Sequence, residues 1–297
     1  MYNSYDFAEF IQKGRQNMDV KVSGKINLSL DILDVMDNGY HQIDTVIQSV
    51  DIYDILNIDL AEEISINCIG IPKEQNSAYK AAKVFFYAKD ISGGCRINIT
   101  KGIPFSAGMG GSSADAAATL YALNLLYGHP YSEKELIDLS GTIGADVPFL
   151  LAGGCKRCRG IGEMLEDIDS ALVFTALAVK GDGLITSCDA YKMYDNLGGP
   201  HPDTDEVIAA LQNNDMNRFK LHTANSLETA CFSVCPDSHT VKDIFESDSR
   251  CITSFLTGSG SAVIGIYIDD KDAESAAALF GNRECHVIHP TDRSVII

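Results

Sequence analysis

The sequence predicts a two-domain protein of the α+β class, in which strands and helices are mixed. The chain has 297 residues, of which 45% are hydrophobic, and this length exceeds what one hydrophobic core usually organises. Segments with strand-like and helix-like spacing of apolar residues follow one another through the first half. A loop-like stretch then precedes a new strand, so the domains are predicted to span residues 1–168 and 169–297.

The first half is predicted to begin with a half-buried strand at residues 24–32. Apolar side chains alternate with other residues along it: Ile26, Leu28, Leu30 and Ile32. A helix is expected at residues 76–86, and these residues are predicted to form its buried face: Tyr79, Ala82, Val84 and Phe86. A strand at residues 95–100 follows and leads into a glycine-rich loop.

Capping and stop signals delimit the later helices. A helix at residues 113–127 is predicted to end at Gly128, because Pro130 lies just beyond it. The next helix is predicted to begin with a capping box, Ser132–Glu135. The remaining predicted elements are a strand at 173–179, a helix at 203–211, a strand–turn–strand segment at 253–269 and a helix at 272–280.

Residues 1–18 are predicted to form a short amphipathic or disordered extension, with Phe7, Phe10 and Ile11 on one side. They lack the apolar core of a signal peptide, and the chain has no run of about 18 apolar residues that would suggest a transmembrane helix. Its cysteines are scattered, and no second CxxC or histidine pair accompanies Cys155–Cys158 to complete a zinc site. We therefore expect a cytoplasmic protein with reduced thiols.

The charge of the chain excludes two broad classes of function. The formal net charge is −18, and the pI is near 4.6. Because binding to nucleic acid or to an anionic membrane needs a basic surface, we expect neither as a general partner. The net charge still allows a phosphorylated small molecule to bind, since a few backbone N–H groups and one lysine can locally outweigh the repulsion from the acidic protein. The sequence leaves the oligomeric state open.

The strongest functional signal is the glycine-rich segment Ile103–Leu120. Its glycines lead into a strongly helix-forming run, so several backbone N–H groups and a helix N-terminus point to one place, as a phosphate chain requires. The segment is neither a Walker A loop nor a dinucleotide-binding G-x-G-x-x-G motif, and the alternative is a flexible turn before a helix. We expect Ser112 or Ser113 to cap the helix, and the other hydroxyl to face a phosphate or its metal.

Three further segments carry side chains suited to the same chemistry. Lys25 stands at the start of the first predicted strand, and Asp146 lies in the otherwise apolar segment Gly144–Leu150. Tyr40 and His41 directly follow an Asn-Gly turn. Taken singly, each has a plainer interpretation: a solvated lysine, a carboxylate that caps a helix or turn, and a turn aromatic beside a surface imidazole.

The order of these segments resembles the GHMP kinase superfamily. Two segments of the C-terminal half add to the resemblance, namely Asn225–Glu228 and the glycine-containing segment Phe255–Tyr267. The similarity runs from about Val20 to the end of the chain. It implies an N-terminal domain like domain 2 of ribosomal protein S5, then a ferredoxin-like α+β domain, with the substrates in the cleft between them.

The resemblance implies an ATP-dependent phosphotransferase that acts on an alcohol. Asp146 is then the base, or the group that orients the hydroxyl, and Lys25 pairs with it and neutralises charge on the transferred phosphoryl group. Mg²⁺ is expected because ATP is used as its magnesium complex, and Ser113 is the candidate to contact the ion. The residues expected to bind the ATP phosphates are Pro104, Ser106, Ala107, Gly108, Gly110, Gly111, Ser112, Ser113 and Ala114.

The resemblance also suggests a substrate. Members of the family that act on a cytidine diphosphate alcohol stack the cytosine between aromatic rings and read its edge with a histidine. Tyr40 and His41 match that motif, and Tyr191 lies where these members carry the second aromatic ring. The alternatives are a kinase of the same family that acts on another alcohol, such as homoserine or mevalonate, and a non-catalytic module, which the presence of Lys25 and Asp146 disfavours.

Two other positions match the family less specifically. Asn76 resembles an asparagine that lies near the nucleotide base. The second glycine loop, Gly258–Ser261, is expected to shape the alcohol end of the cleft rather than to bind ATP, and the alternative is a tight hairpin turn.

Overall fold

The computed structural model describes residues 17–297, so residues 1–16 of the predicted extension, with Phe7, Phe10 and Ile11, lie outside the described residues. The strands are β1 (Asn17–Val35), β2 (His41–Ala61), β3 (Ser65–Cys68), β4 (Gly94–Thr100), β5 (Cys155–Gly160), β6 (Met164–Asp167), β7 (Thr175–Lys180), β8 (Thr253–Leu256), β9 (Ala262–Tyr267), β10 (Cys285–Ile288) and β11 (Val295–Ile296). The helices are α1 (Ser77–Ala88), α2 (Gly111–Leu126), α3 (Glu133–Gly141), α4 (Val147–Ala152), α5 (Ser187–Leu197), α6 (Thr204–Gln212), α7 (Met216–His222), α8 (Glu228–Val234), α9 (Pro236–Ser247) and α10 (Asp270–Ala277). No helix within residues 17–297 has the length and apolar character needed to cross a membrane.

The N-terminal half folds around a seven-stranded sheet. The main path of the sheet is β11-β1-β2-β4-β3, while β5 pairs with β2 and β6 pairs with β5. Strand β2 is long enough to pair with β5 along its first part and with β4 along its last part. Helices α1, α2 and α4 pack on the sheet through an apolar core, where each large buried side chain contributes roughly 1.5–3 kcal/mol.

Strand β1 is buried on both faces along its middle, whereas its alternating sequence predicts that only one face is buried. Ile26 and Leu28 pack into the core on the first face. Lys25 and Asn27 lie on the other face and are buried as well. The C-terminal half covers this face, and Asn27 N donates to Thr257 Oγ1 at 3.0 Å. The prediction of a half-buried strand is therefore wrong, because local alternation carries no information about a second covering layer.

The C-terminal half forms a four-stranded antiparallel sheet in the order β10-β7-β9-β8. Its elements follow the chain as strand, helices, two strands, helix and strand, which confirms the ferredoxin-like arrangement implied by the family resemblance. The two sheets separate between Asp167, where β6 ends, and Thr175, where β7 begins. The last strand returns to the first sheet, where Ile296 pairs with Lys21, although it falls within the range predicted for the second domain.

The capping box predicted at Ser132–Glu135 is confirmed at the start of α3. Helix α2, in contrast, begins at Gly111, and Gly110 is its N-cap with a φ of 78°. The prediction that Ser112 or Ser113 caps α2 is therefore wrong. The helix begins before the serines because glycine adopts this left-handed conformation without the steric cost of a Cβ.

The buried face of α1 also differs from the prediction. Its buried residues are Ala78, Ala81, Ala82, Phe85 and Phe86. Their spacing follows the helical repeat of three and four residues, whereas the predicted set did not keep that repeat throughout. Tyr79 and Val84 are half-buried as a result.

Candidate active site

A cavity of about 1010 Å³ lies between the two halves of the chain. Most of the predicted site residues line it: Lys25, Tyr40, His41, Pro104, Ser106, Ala107, Gly108, Gly110, Gly111, Ser112, Ser113, Asp146 and Tyr191. Ala114 lies outside the lining, because it is fully buried and its N–H donates to Gly110 O at 2.8 Å. The N–H of Ala114 thus belongs to the helix and is not available to a ligand.

The glycine-rich loop is shaped by two glycines in the left-handed region, to which Ser106 with a φ of 52° also belongs. Gly108 has a φ of 73° and Gly110 a φ of 78°, where a residue with a Cβ is strained. A Cβ on Gly108 would lie 2.1 Å from Thr257 O, and one on Gly110 would lie 2.9 Å from Lys25 Cγ. Both positions therefore require glycine for close packing as well as for backbone conformation.

The second glycine loop packs directly on the first. Ser261 N donates to Ser106 O at 3.2 Å. A Cβ on Gly258 would lie 2.8 Å from Gly108 O and 3.2 Å from Lys25 Nζ. The second loop therefore supports the glycine-rich loop and the lysine, a role that goes beyond a hairpin turn and beyond the shaping of the alcohol end predicted from the sequence.

Lys25 and Asp146 lie together in the cavity wall. Lys25 Nζ is 3.5 Å from Asp146 Oδ2 and donates to Asn27 Oδ1 at 2.6 Å. The lysine side chain is only 3% exposed, so it is not the solvated lysine of the plainer interpretation, and these partners compensate for its removal from water. Asp146 occupies the N-cap position of α4, yet its side chain makes no capping hydrogen bond within the described residues. Its carboxylate is thus available to a ligand.

Asn27 supports the lysine from the same face of β1. Its Nδ2 donates to Thr45 Oγ1 at 2.9 Å, which links β1 to β2 beneath Lys25. Neither Asn27 nor Thr45 was predicted from the sequence. The available signal was the position of Asn27, two residues after Lys25 on a strand and therefore on the same face of the sheet.

A buried ionic cluster lies beneath the glycine-rich loop. Lys101 Nζ donates to Asp54 and, at 2.8 Å, to Asp115 Oδ2. Asp54 Oδ1 also accepts the N–H groups of Gly102 and Ile103 at 2.8 and 2.9 Å. Burial raises the pKa of Asp115 to about 7, an effect that Lys101 opposes and Asp54 reinforces. The cluster joins the residues before the loop to the first turns of α2. In the sequence, the only sign of such a cluster was the position of Lys101 next to the loop.

Aromatic side chains and a carboxylate surround His41. Its ring stacks on Tyr191 with the centroids 4.7 Å apart and the planes at 27°. His41 Nε2 lies 2.7 Å from Asp195 Oδ1. Tyr40 lines the same cavity and is 59% exposed. His41 itself is buried, so it is not a surface imidazole, and the structure brings Tyr40, His41 and Tyr191 to one cavity, together with Asp195, which was not predicted.

Few protein groups in the cavity are suited to a divalent cation. Within residues 17–297, no group of three His, Cys, Asp or Glu residues is placed to hold a metal ion. Mg²⁺ commonly binds through substrate phosphates and water with only one or two protein oxygens. The Ser113 hydroxyl fits such a role, since it lies 3.9 Å from where a Cβ on Gly144 would stand, next to the turn that carries Asp146.

Asn76 occupies a structural position. It is the N-cap of α1, and its Oδ1 accepts from Ala78 N at 2.9 Å. Its side chain is buried and does not line the cavity between the two halves. A direct contact between Asn76 and a nucleotide base therefore stays a prediction.

Two family models match the chain. The model for the GHMP kinases N terminal domain matches residues 76–154, and the model for the GHMP kinases C terminal matches residues 207–285. A 4-diphosphocytidyl-2-C-methyl-D-erythritol kinase from Caldicellulosiruptor saccharolyticus is 40% identical over 266 residues, which cover 88% of this chain and 91% of that protein. A relative of the same name from Desulfitobacterium hafniense is 36% identical and covers 92% of this chain and 95% of its own length.

Solved structures match the same architecture. A crystal structure of 4-(cytidine 5′-diphospho)-2C-methyl-D-erythritol kinase aligns with a TM-score of 0.78 at 27% identity, covering 92% of this chain and 100% of that chain. A homoserine kinase from Cytophaga hutchinsonii aligns with a TM-score of 0.75 at 18% identity, covering 95% of this chain and 97% of its own. At 18% identity, the likeness to the homoserine kinase shows only that the fold is shared.

Proposed function

Because this chain belongs to the GHMP kinase family, we propose that it uses ATP to phosphorylate a hydroxyl of 4-diphosphocytidyl-2-C-methyl-D-erythritol, a step of the non-mevalonate route to isoprenoid precursors. The chain has the two-domain GHMP kinase architecture and is a phosphotransferase with an alcohol group as acceptor. The observation that carries the proposal is that one cavity contains the glycine-rich loop, the Lys25–Asp146 pair and the His41–Tyr191 stack. The names of the curated relatives supply the substrate.

The glycine-rich loop is proposed to bind the ATP phosphates. All of residues 104–113 line the cavity, and the N-terminus of α2 adds partial positive charge at the same place. Glycine at positions 108 and 110 lets the backbone N–H groups approach phosphate oxygens closely. Ala114 is left out of this set because its N–H is already bonded within the helix.

Asp146 is proposed to accept the proton of the attacking hydroxyl. Phosphoryl transfer needs positioning, charge neutralisation and a proton acceptor, and little covalent chemistry from the protein. The ammonium of Lys25 lies beside the Asp146 carboxylate and is held by Asn27, so it is placed to stabilise negative charge on the transferred group. This arrangement supports the pairing of the two residues that the family resemblance implies.

Mg²⁺ is proposed to accompany ATP. When bound, the ion neutralises charge on the phosphate oxygens. The Ser113 hydroxyl is proposed to contact it, because this hydroxyl lies in the cavity wall next to the turn that carries Asp146. A hydroxyl supplies the oxygen ligand that Mg²⁺ prefers.

Tyr40, His41 and Tyr191 are proposed to bind the cytosine. Stacking a base on an aromatic ring contributes about 1–3 kcal/mol. Tyr40 is exposed at the cavity wall, where it can cover a ligand, and His41 can present a ring nitrogen to the edge of the base. A kinase for a small alcohol without a base has no use for this aromatic group, which therefore favours the cytidine substrate.

A comparison of alcohols tests the proposed substrate. ADP release is measured with 4-diphosphocytidyl-2-C-methyl-D-erythritol, homoserine and mevalonate, each in the presence of Mg²⁺. We expect kcat/KM for the first compound to exceed the others by orders of magnitude. Comparable or faster turnover of homoserine or mevalonate would instead support the second candidate function, a kinase of the same family for another alcohol.

Replacement of the proposed base tests the chemistry. Asp146→Asn is expected to lower kcat by about 10²–10⁴-fold, because the amide keeps the shape of the side chain but cannot accept a proton. The KM for ATP should change little. Asp138→Asn, on the exposed side of α3 where Asp138 pairs with Lys134, is the control and should retain full activity. Full kcat in Asp146→Asn would refute the role of Asp146 and leave the fold unaffected.

A further inference from the structure

We propose that Asp195 is a positioning residue that fixes the tautomer and orientation of the His41 imidazole and thereby makes the site selective for a pyrimidine that carries an amino group. The inference rests on the proposed function, because His41 is the side chain assigned there to the edge of the base. Asp195 touches His41 rather than the reacting atoms.

The contact between the two residues crosses the cavity from one half of the chain to the other. His41 opens β2, where it pairs with Val35 of β1, and its side chain is buried. Asp195 lies in the last turn of α5, in the C-terminal half. The 2.7 Å distance between His41 Nε2 and Asp195 Oδ1 is that of a short, charge-assisted hydrogen bond.

Helix α5 holds the imidazole from two further directions. Tyr191 stacks on the ring, and Tyr194 meets it edge-on with the centroids 6.4 Å apart and the planes at 82°. Tyr191 and Asp195 are four residues apart and therefore lie on the same face of the helix. The aromatic contacts fix the plane of the imidazole, and the hydrogen bond fixes its rotation within that plane.

The hydrogen bond also decides which nitrogen carries the proton. A carboxylate can only accept, so Nε2 must donate, and in the neutral ring Nδ1 is then left with a lone pair. No hydrogen bond from residues 17–297 to Nδ1 accompanies the one at Nε2. A lone pair in this position accepts from an exocyclic amino group, such as the 4-amino group of cytosine, and repels the 4-oxygen of uracil.

Without the carboxylate, both neutral tautomers become accessible to His41. The Nδ1–H tautomer donates a hydrogen bond and therefore suits uracil rather than cytosine. Removal of Asp195 is thus expected to weaken binding of the cytidine substrate and to lower its advantage over the uridine analogue. A residue with a merely structural role would weaken binding of both substrates equally.

Steady-state kinetics test the selectivity. The variants are Asp195→Ala and Asp195→Asn, with Asn196→Ala as the control on an exposed neighbouring position of α5. The substrates are 4-diphosphocytidyl-2-C-methyl-D-erythritol and its uridine analogue. For Asp195→Ala we expect KM for the cytidine substrate to rise about tenfold or more with kcat nearly unchanged, and the cytidine-to-uridine ratio of kcat/KM to fall by a similar factor. Asn196→Ala should match the parent protein.

Selective ¹⁵N-histidine NMR of the ligand-free protein at pH 8 tests the positioning separately. We expect His41 to show one neutral tautomer protonated at Nε2 in the parent protein, and mixed tautomers in Asp195→Ala. Observation of the Nδ1–H tautomer in the parent, or an unchanged ratio of kcat/KM in a folded Asp195→Ala protein, would overturn the inference. If the parent fails to phosphorylate the cytidine substrate, the proposed function fails, while the NMR result still decides whether Asp195 sets the tautomer.

Discussion

At the scale of single residues, two glycines of this chain show that backbone conformation and close packing are separate reasons for a glycine. Gly108 and Gly128 share a φ of 73°, a conformation that any side chain makes unfavourable. A Cβ on Gly108 would lie 2.1 Å from Thr257 O, whereas a Cβ on Gly128 would meet nothing within 4 Å. Substitution of Gly128 therefore reports backbone strain alone, and substitution of Gly108 reports strain together with the contact between the two glycine loops.

We expect Gly108→Ala to raise KM for ATP. This variant should also lose more free energy of unfolding than Gly128→Ala does. The added Cβ pushes the two glycine loops apart and distorts the surface proposed for the phosphates. Gly128→Ala should cost about 1–2 kcal/mol of stability and leave KM unchanged. Urea unfolding and ATP titration of the initial rate measure the two effects, and identical behaviour of the variants would contradict the packing argument.

At the scale of elements, the buried polar face of β1 explains why the site sits where it does. The strand supplies apolar side chains to one layer and Lys25 and Asn27 to the other, so the lysine proposed to act with Asp146 stands on a strand that is paired with β2 on one side and β11 on the other. The glycine-rich loop is held beside this strand, since Lys25 N donates to Met109 O at 3.0 Å. The ionic cluster of Lys101, Asp54 and Asp115 anchors the same loop from below.

Lys101→Met is expected to destabilise the fold by about 3–5 kcal/mol, because it leaves two buried carboxylates facing each other without a cation. The matched control is Lys134→Met, which removes one partner of an exposed pair with Asp138 and should cost no more than about 0.5 kcal/mol. Urea unfolding at pH 8 measures both variants. A loss in Lys101→Met no larger than in the control would show that the cluster is not needed to hold the loop.

At the scale of the whole molecule, one histidine joins the two halves of the chain away from the cavity. His289 Nδ1 lies 2.9 Å from Asp51 Oδ2 of β2, and His289 Nε2 lies 2.8 Å from Asp270 Oδ1 at the start of α10. Thr175 Oγ1 also donates to Asp270. Both ring nitrogens face carboxylates, which only the protonated imidazole satisfies, and the hydrogen bonds to Asp270 and then Asp51 raise the pKa of His289.

This contact makes the stability of the interface depend on pH. The pKa of His289 is raised on folding, so its contribution is complete below the ordinary value of 6.5 and is lost as the pH rises through the raised value. We expect His289→Ala to destabilise the protein more at pH 6 than at pH 9. His239→Ala, which removes an exposed imidazole paired with Asp243 on a single helix, is the control and should cost no more than about 1 kcal/mol at pH 6. Equal losses of unfolding free energy at both pH values in His289→Ala would disprove the argument.

Much of the molecule follows from the sequence by itself. The glycine-rich loop, the helix after it, the capping box at Ser132 and the order of strands and helices are local properties of the chain, which neighbouring residues determine through backbone preference and periodicity. The glycine-rich loop and the segments that carry Lys25, Tyr40, His41 and Asp146 were together enough to identify the family before any contact was known. Their family resemblance therefore predicted the architecture as well.

Only the tertiary structure decided how these residues are held. Several of the contacts join segments far apart in the chain: the layer that covers the second face of β1, the cluster around Lys101, the packing of the second glycine loop on the first, and the hydrogen bond from His41 to Asp195. A buried charge or polar group needs a partner in the same desolvated place, and no local pattern states which distant residue will be there. The start of α2 shows the same limit. The sequence predicts a serine cap, but Gly110 is the N-cap, and the packing of the loop requires its left-handed conformation.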